Sequence, residues 1–423
     1  SAMLHLSTSA VGEPERGVET DGQMFPGMRP RVLILASWFP DESSPLAGIF
    51  VLEQAQLLSE RYEVAVLVPS LVKWRHLLKR TACVGARVET TTGLPVYREP
   101  SLSLLPGTRT SYSRYCAAAA RGFRRLERSW GQPALIHAHV VLPGGWAAVN
   151  LGKRHGVPVV ITEHSSPFSM HLGTSPKQQM VRFALSQADS VLAVSPALAE
   201  QIQTFDSSVT VRVVGNVVRT SFFTPQGEAE GPESRPLRFL CVGLLSKQKG
   251  FGYLLEAVSR LQRLGYTAFE LAIGGDGKER QSLAQRAQAL RVSERCTFLG
   301  LLDREAVRTW LRWTDVLVLP SLHETFGIVL GEAMACGKPV IATRCGGPEY
   351  VVTPDTGVLV EPGNAEALVE AMAAFLEGRV CFDSRTIRRS VEQRFGEQAF
   401  LGRLSGVYEE TLADFRSKSL TAT

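Results

Sequence analysis

The chain is short of paired cysteines, long apolar runs and excess charge, and each shortage closes off a class of protein. Its seven cysteines, at positions 83, 116, 241, 296, 336, 345 and 381, form no C-x-x-C pair and no metal-ligand cluster. Disulfide scaffolds and zinc modules are thereby disfavoured, and reduced, mostly buried thiols are expected. No stretch approaches the roughly eighteen uninterrupted apolar residues that a membrane helix needs, so any membrane association is expected to be peripheral. Residues 1–30 lack a basic start followed by a continuous apolar segment. They are expected to be a flexible tail rather than a secretory signal, which suits a cytoplasmic setting. The net charge of +5 is modest for 423 residues, and no recognition module accompanies it, which argues against nucleic acid as a partner. No DxD-like acidic pair stands in a convincing place, so neither a metal nor a bound cofactor is expected.

What is present is an ordinary globular composition, 44% hydrophobic and 21% charged, on a chain too long for one comfortable core. Positive charge gathers in the first half: Arg31 to Arg212 hold nineteen Lys/Arg against twelve Asp/Glu. Two clusters, LVKWRHLLKR at 71–80 and RGFRRLERSW at 121–130, mix basic residues with Trp74, Phe123 and Trp130. They suit an anionic membrane surface or an anionic lipid-linked substrate. A solvated helix face explains either cluster equally well.

The hydrophobic pattern repeats one grammar twice. RVLILA, EVAVLVP, PALIHAHVV, VPVVITEHS, ADSVLAVSP and VTVRVVGN read as short strands with helical stretches between several of them. The strand in EVAVLVP is expected to end at Pro69. Composition shifts at residues 221–236, where glycine, proline and glutamate displace apolar periodicity, marking a linker. Strands and helices then resume through LRFLCVGLL, FELAIGGDG, CTFLG, DVLVLP, PVIAT and GVLVEP. The expected fold class is α/β: two Rossmann-like units, 31–220 and 237–393, face each other across a cleft. A helical segment at 394–423 follows. Ligands of open α/β sheets sit beyond the carboxyl ends of the strands, so the cleft is the expected site.

The segment HETFGIVLGEAMACGKPVIA, residues 323–342, carries two acidic residues, Glu324 before a helix expected at about 328–335 and Glu332 within it. Eight residues of ideal helix span about 12 Å, too far for two carboxylates to grip one metal. They read as two separate acceptors for the hydroxyls of one extended ligand. Thr325, Phe326 and Gly327 lie where free helix-terminal N–H groups can meet an anion or a sugar hydroxyl.

In this respect PSLHETFGIVLGEAMACGKPVIATRCGGPEYV, residues 320–351, resembles the signature of the retaining GT-B glycosyltransferases of family 4, with their E-x7-E motif. The resemblance extends from about Arg31 to Phe415 and implies the GT-B fold. It places Glu324 against the transferred sugar of a nucleotide-sugar donor and Glu332 on the ribose hydroxyls. The amides of Phe326 and Gly327 would hold sugar and phosphate oxygens, and Gly346 and Gly347 match the family's glycine turn. In VGLLSKQKGFGYLLEA, residues 242–257, Lys249 matches the lysine that neutralises the donor diphosphate. The arginine usual after the first glycine is here Leu244, a departure for which Lys247 could compensate.

By the same resemblance Gly48 belongs to a loop that lets donor phosphate and acceptor approach closely. His139, in IHAHVVLPGG, would lie near the transferred sugar. His137, on the same strand face, reads as structural; His164, beside Glu163, could shape the acceptor pocket. Asn216 matches an asparagine that closes the first domain, and a turn-forming asparagine explains it as simply. The implied chemistry is retaining transfer of a hexose or related sugar from a UDP- or GDP-linked donor. The basic aromatic clusters of the first half suggest a lipid-linked, polyprenyl-borne or other glycan acceptor at the inner face of the cell membrane, in cell-surface polysaccharide or glycolipid assembly. The final helical segment could cross back to the first unit. A donor-binding protein without transferase activity, or a transferase with a small soluble acceptor, are the alternatives.

Overall fold

The computed structural model describes residues 29–42, 44–73, 85–103, 107–226 and 235–421. In the first half the strands are β1 Arg31–Ala36, β2 Glu63–Lys73, β3 Arg87–Thr91, β4 Leu94–Ser103, β5 Leu135–His139, β6 Val159–Glu163, β7 Ser190–Ala193 and β8 Val211–Val213. They form one sheet in the order β3-β4-β2-β1-β5-β6-β7-β8. Every pairing is parallel except that of β3 with β4. The second half contributes β9 Leu237–Val242, β10 Phe269–Gly274, β11 Cys296–Gly300, β12 Val316–Leu319, β13 Val340–Thr343 and β14 Gly357–Val360. These make an all-parallel sheet ordered β11-β10-β9-β12-β13-β14. Strands such as β5, β6, β12 and β13 are buried at every position, as expected where helices cover both sheet faces.

Strand order reverses beside β1 in the first sheet, between β1 and β5, and beside β9 in the second, between β9 and β12. These switch points are where a crevice opens beyond the strand ends. Trp38 to Gly48 follow β1, His139 ends β5, Gly243 to Lys249 follow β9, and Pro320 to Gly327 follow β12. The fold thus delivers the motif residues of both halves to its two crevices.

Two expectations change. The strand β2 continues through Pro69 to Lys73. Its register with β1 ends at Leu67, whereas pairing with β4 runs on to Lys73. Pro69 therefore lies where β2 has outrun one neighbour, a position that tolerates a missing N–H. The second basic cluster ends the helix Arg109–Trp130, where Phe123 and Leu126 are fully buried and Trp130 is half-buried against Arg31. Arg121, Arg124 and Arg128 remain at the surface. Residues 74–80 of the first cluster lie outside the described residues. Among the described residues no helix is long and apolar enough to cross a membrane.

The halves share buried contacts. One apolar cluster includes Leu33 and Ile136 of the first sheet, Val218 and Phe223 of the connecting segment, and Leu317 and Phe395 of the second half. At residue 331 a side chain would put its Cβ 2.5 Å from Val218 Cγ2, so glycine there admits the connecting segment against the helix Ile328–Ala335. The last helix, Glu397–Thr421, inserts Phe400, Leu404 and Tyr408 among β1 and β2 residues. Glu397 at its start accepts hydrogen bonds from the amides and hydroxyls of Thr220 and Ser221.

Candidate active site

Close backbone packing builds the second-half side of the site. Gly250 has φ of 67°, and a Cβ there would lie 1.9 Å from the Pro320 carbonyl oxygen, so only glycine lets the two loops touch. The Leu322 amide donates to the Gln248 carbonyl at 2.7 Å across the same contact. This docking sets Lys249 Nζ 2.5 Å from Glu324 Oε2, with Ser321 Oγ 3.2 Å from that same oxygen. The Gly347 amide donates to the Glu324 carbonyl at 2.7 Å. A Cβ on Gly347 would stand 2.3 Å from Phe326 N. The glycine turn therefore supports the Glu324 loop as well as ending β13.

Gly327, at φ of 80°, opens the helix Ile328–Ala335, and no side chain caps it. Phe326 is buried edge-on against Phe395, with ring centroids 5.1 Å apart. Glu332 is 2% exposed and accepts from Arg304 at 2.5 Å. Arg304 also donates to Glu53 at 2.7 Å, on the helix Ile49–Leu58 of the first half. Its guanidinium lies over the Phe223 ring. Burial pushes the Glu53 carboxyl up, against the opposing pull of Arg304.

On the first-half side, Gly48 has φ of 69°, and a Cβ there would fall 2.2 Å from the Trp38 carbonyl oxygen. It starts the helix that carries Phe50, Glu53 and Gln54. The Phe50 ring packs 4.6 Å from that of His164, and Gln54 Nε2 donates to Asn216 Oδ1 at 3.2 Å. His139 is 1% exposed, with Nδ1 2.9 Å from His164 Nε2. Thr325 Oγ1 donates to the His164 carbonyl at 3.0 Å, joining this group to the Glu324 loop. His137 meets Tyr408 Oη at 2.6 Å and Thr162 Oγ1 at 2.7 Å, so both its ring nitrogens are engaged in the core. Burial lowers His137 to about 3 and His164 to about 4, and holds His139 well below its ordinary value. All three are neutral at physiological pH.

Glu163 holds these loops in place. It is fully buried and accepts from the amides of Val141 at 2.8 Å, His164 at 2.9 Å and Ser165 at 2.7 Å. Burial would raise its carboxyl, but the His171 ring and these hydrogen bonds outweigh it and lower it to about 2. Val140, just after His139, has φ of 74°, a strained position for a branched residue. The Val140 amide bond to Thr162 and the Val141 bond to Glu163 hold it there.

The structure brings together Lys249, Glu324, Phe326 and Gly327, and sets His139, His164 and Gly48 on the facing loops. Lys247 lines a cavity of 570 Å³ with Gly250, Leu322, Glu256, Glu279 and Arg286. Leu244 is 64% exposed. Sequence reading missed Arg304 and the anchoring role of Glu163. Arg304 carries no local signal beyond following Asp303, whose carboxylate caps its helix through the Ala306 amide. Among the described residues no three of His, Cys, Asp and Glu assemble as a metal-binding group.

Comparison with known proteins agrees with this fold. Residues 47–217 match the family model "Glycosyl transferase 4-like domain", and residues 224–399 match "Glycosyl transferases group 1". The teichuronic acid biosynthesis protein TuaC of Bacillus subtilis is 29% identical over 82% of this chain and 89% of its own. The N-acetyl-alpha-D-glucosaminyl L-malate synthase of Bacillus anthracis is 28% identical over 66% of this chain and 75% of its own. Among solved structures, sucrose-phosphate synthase from Thermosynechococcus elongatus superposes with a TM-score of 0.73 at 22% identity, covering 91% of this chain and all of that one. Anabaena HepE in complex with UDP gives 0.68 at 18% identity over 90% of this chain and all of its own. With the 4-like model on the first half, the group 1 model on the second and two parallel-sheet units facing each other, the chain is a family 4-like glycosyltransferase of the GT-B fold.

Proposed function

We propose that this glycosyltransferase moves a hexose or related sugar from a nucleoside diphosphate donor, UDP- or GDP-linked, with retention of anomeric configuration. The carrying observation is the Lys249–Glu324 pair, held by glycine-dependent loop docking at one switch point and facing His139 and His164 at the other. In this reading Lys249 binds the diphosphate and Glu324 receives hydroxyls of the transferred sugar. Glu332 takes the ribose, His139 contacts the sugar, and the amides of Phe326 and Gly327 hold sugar and phosphate oxygens. Gly48 leaves room for the phosphates, and Lys247 assists from farther off.

The bond from the anomeric carbon to the leaving phosphate oxygen breaks while the acceptor oxygen bonds that carbon from the same face. The acceptor proton passes to the leaving phosphate, so no enzymic nucleophile is needed. Negative charge grows on the diphosphate as the bond breaks, and a preorganised ammonium stabilises that charge. In this reading Lys249 and helix-terminal amides supply what a metal supplies elsewhere.

The proposed acceptor is a lipid-linked or other glycan of cell-surface polysaccharide or glycolipid assembly. The names of TuaC and of the lipopolysaccharide core glycosyltransferase LpsE of Rhizobium meliloti, 30% identical over 51% of this chain and 60% of its own, support it. Peripheral attachment to an anionic membrane at its inner face now rests on the exposed arginines of the helix Arg109–Trp130. Leu244 in place of a cation favours a second reading, a donor-binding protein that leaves its ligand intact. Calorimetry with UDP-, GDP- and ADP-sugars tests the donor cleft, on wild type and Glu332→Ala in parallel. Selective binding weakened by the substitution supports the cleft, and silence with every donor overturns it. Anomer analysis of the product then decides retention.

A further inference from the structure

Glu53 belongs to the first half, yet its carboxylate is paired with a cation of the second. The helix Ile49–Leu58 turns Phe50, Glu53 and Gln54, spaced i, i+3 and i+4, to one face, where they meet His164, Arg304 and Asn216. Arg304 opens its own helix and splits its guanidinium fork: Nη1 donates to Glu332 at 2.5 Å and Nη2 to Glu53 at 2.7 Å. Among the described residues no other cation pairs with either carboxylate. The side chains of Glu53 and Glu332 are 12% and 3% exposed, so two poorly solvated anions share one cation.

A ligand hydroxyl that takes Glu332 removes one arm of the fork, and Glu53 decides what that costs. With Glu53 in place, Arg304 keeps one charge-assisted hydrogen bond and its position over the Phe223 ring, 4.8 Å away. Without it, the released arm belongs to a guanidinium only 24% exposed that has no anion left. A charge buried and unpaired in this way is expensive, and Arg304 Nε is already buried without a partner.

We infer that Glu53 is a positioning residue for the donor site: it holds Arg304 when the ribose of the donor takes Glu332, and so sets donor affinity from the opposite half without touching the donor. The donor part of this role rests on the function proposed above, whereas the sharing of Arg304 stands independently of it.

The test compares wild type, Glu53→Gln and Glu53→Asp by calorimetry and steady-state transfer, with a donor that wild type binds. Glu53→Gln should weaken the donor by about tenfold or more, the worth of one hydrogen bond to a charged group. KM for the donor should rise with kcat nearly unchanged, while the melting temperature stays at or above that of wild type. Glu53→Asp keeps the charge and should recover most of the affinity. A merely structural Glu53 would lose stability and affinity together. Wild-type affinity in Glu53→Gln, or an equal loss in Glu53→Asp, overturns the role. Urea unfolding of Glu53→Gln, Glu332→Gln and the double variant reads the sharing without any donor. One shared cation predicts that the double variant loses more than the two single variants together, because only then is Arg304 left without an anion. Additive effects overturn the sharing. Failure of every donor to bind wild type would instead overturn the proposed function, and the unfolding cycle would still judge the sharing.

Discussion

Replacing Glu163 with glutamine should be among the costliest isosteric changes in the first half. The carboxylate is fully buried and receives three backbone amides, from Val141, His164 and Ser165. Its carboxyl stands at about 2 in the folded chain, against an ordinary 4.5. At 1.36 kcal/mol per unit, this difference corresponds to about 3 kcal/mol of stability at neutral pH. The sign is that of a depressed acid: the contribution is complete above about pH 4.5 and is lost as pH falls through about 2. Glutamine keeps the shape but presents an NH₂ where an oxygen accepted an amide. Urea unfolding of wild type and Glu163→Gln, followed from pH 7 to pH 3, should show a gap of about 3 kcal/mol that narrows below about pH 4.5. A gap under about 1 kcal/mol at pH 7, within the range of a surface ion pair, would refute the reasoning. So would a gap that stays constant down to pH 3.

Other changes separate stability from activity. Lys249→Met should lower turnover by about 10²-fold or more, if charge stabilisation here resembles an oxyanion donor. Taking the ammonium from a Glu324 side chain only 12% exposed should also destabilise by about 1–3 kcal/mol; unchanged turnover in a sugar-transfer assay would remove Lys249 from the chemistry. Gly250→Ala puts a Cβ against the Pro320 carbonyl, so donor affinity should fall together with thermal stability; a variant with wild-type calorimetry and melting would show that the loops need no such approach. Arg304→Met should destabilise by about 3 kcal/mol or more, because it leaves two buried carboxylates facing each other. Glu53→Gln should be neutral or stabilising at pH 7, since the raised Glu53 carboxyl favours folding only at low pH and its charge is a burden above that; equal losses in the two variants would contradict this asymmetry.

Much of this architecture was legible because it is local. The alternation of branched runs with helical stretches reported two parallel-sheet units, and the helix expected at about 328–335 is found at Ile328–Ala335. The antiparallel pair of β3 and β4 was not anticipated, because RVETTTGLPVYREP alternates weakly and its turn at Thr92 and Gly93 lacks a strong signature. Pro69 misled because a proline interrupts a strand only where a neighbour requires its N–H, and β2 has outrun β1 at that point. In the site, the family resemblance pointed to Lys249 and Glu324, whose side chains meet across 75 residues. Glu163 was read by its side-chain neighbour His164, yet its work is on the backbone of three residues, which no pattern of side chains reports. Arg304 was invisible for the same reason of distance: its partners Glu53 and Glu332 lie on separate halves.

Lys249 and Arg304 supply a cation to the glutamate before the helix and to the one inside it, respectively. Glu324 and Glu332 are 12% and 3% exposed at their side chains, and a charge buried to that degree is costly unless it is paired. Each has a cation, but the two pairings differ in kind. Lys249 and Glu324 lie on loops of one half, so a diphosphate can draw the ammonium away while Glu324 keeps the Ser321 hydroxyl. Arg304 holds Glu332 and, at the same time, Glu53 across the cleft. A hydroxyl ligand on Glu332 must compete with that guanidinium, yet Arg304 would keep Glu53 and the Phe223 ring as it yields. Under the proposed function, ligand entry at Glu332 is therefore energetically linked to the Arg304 contact between the halves.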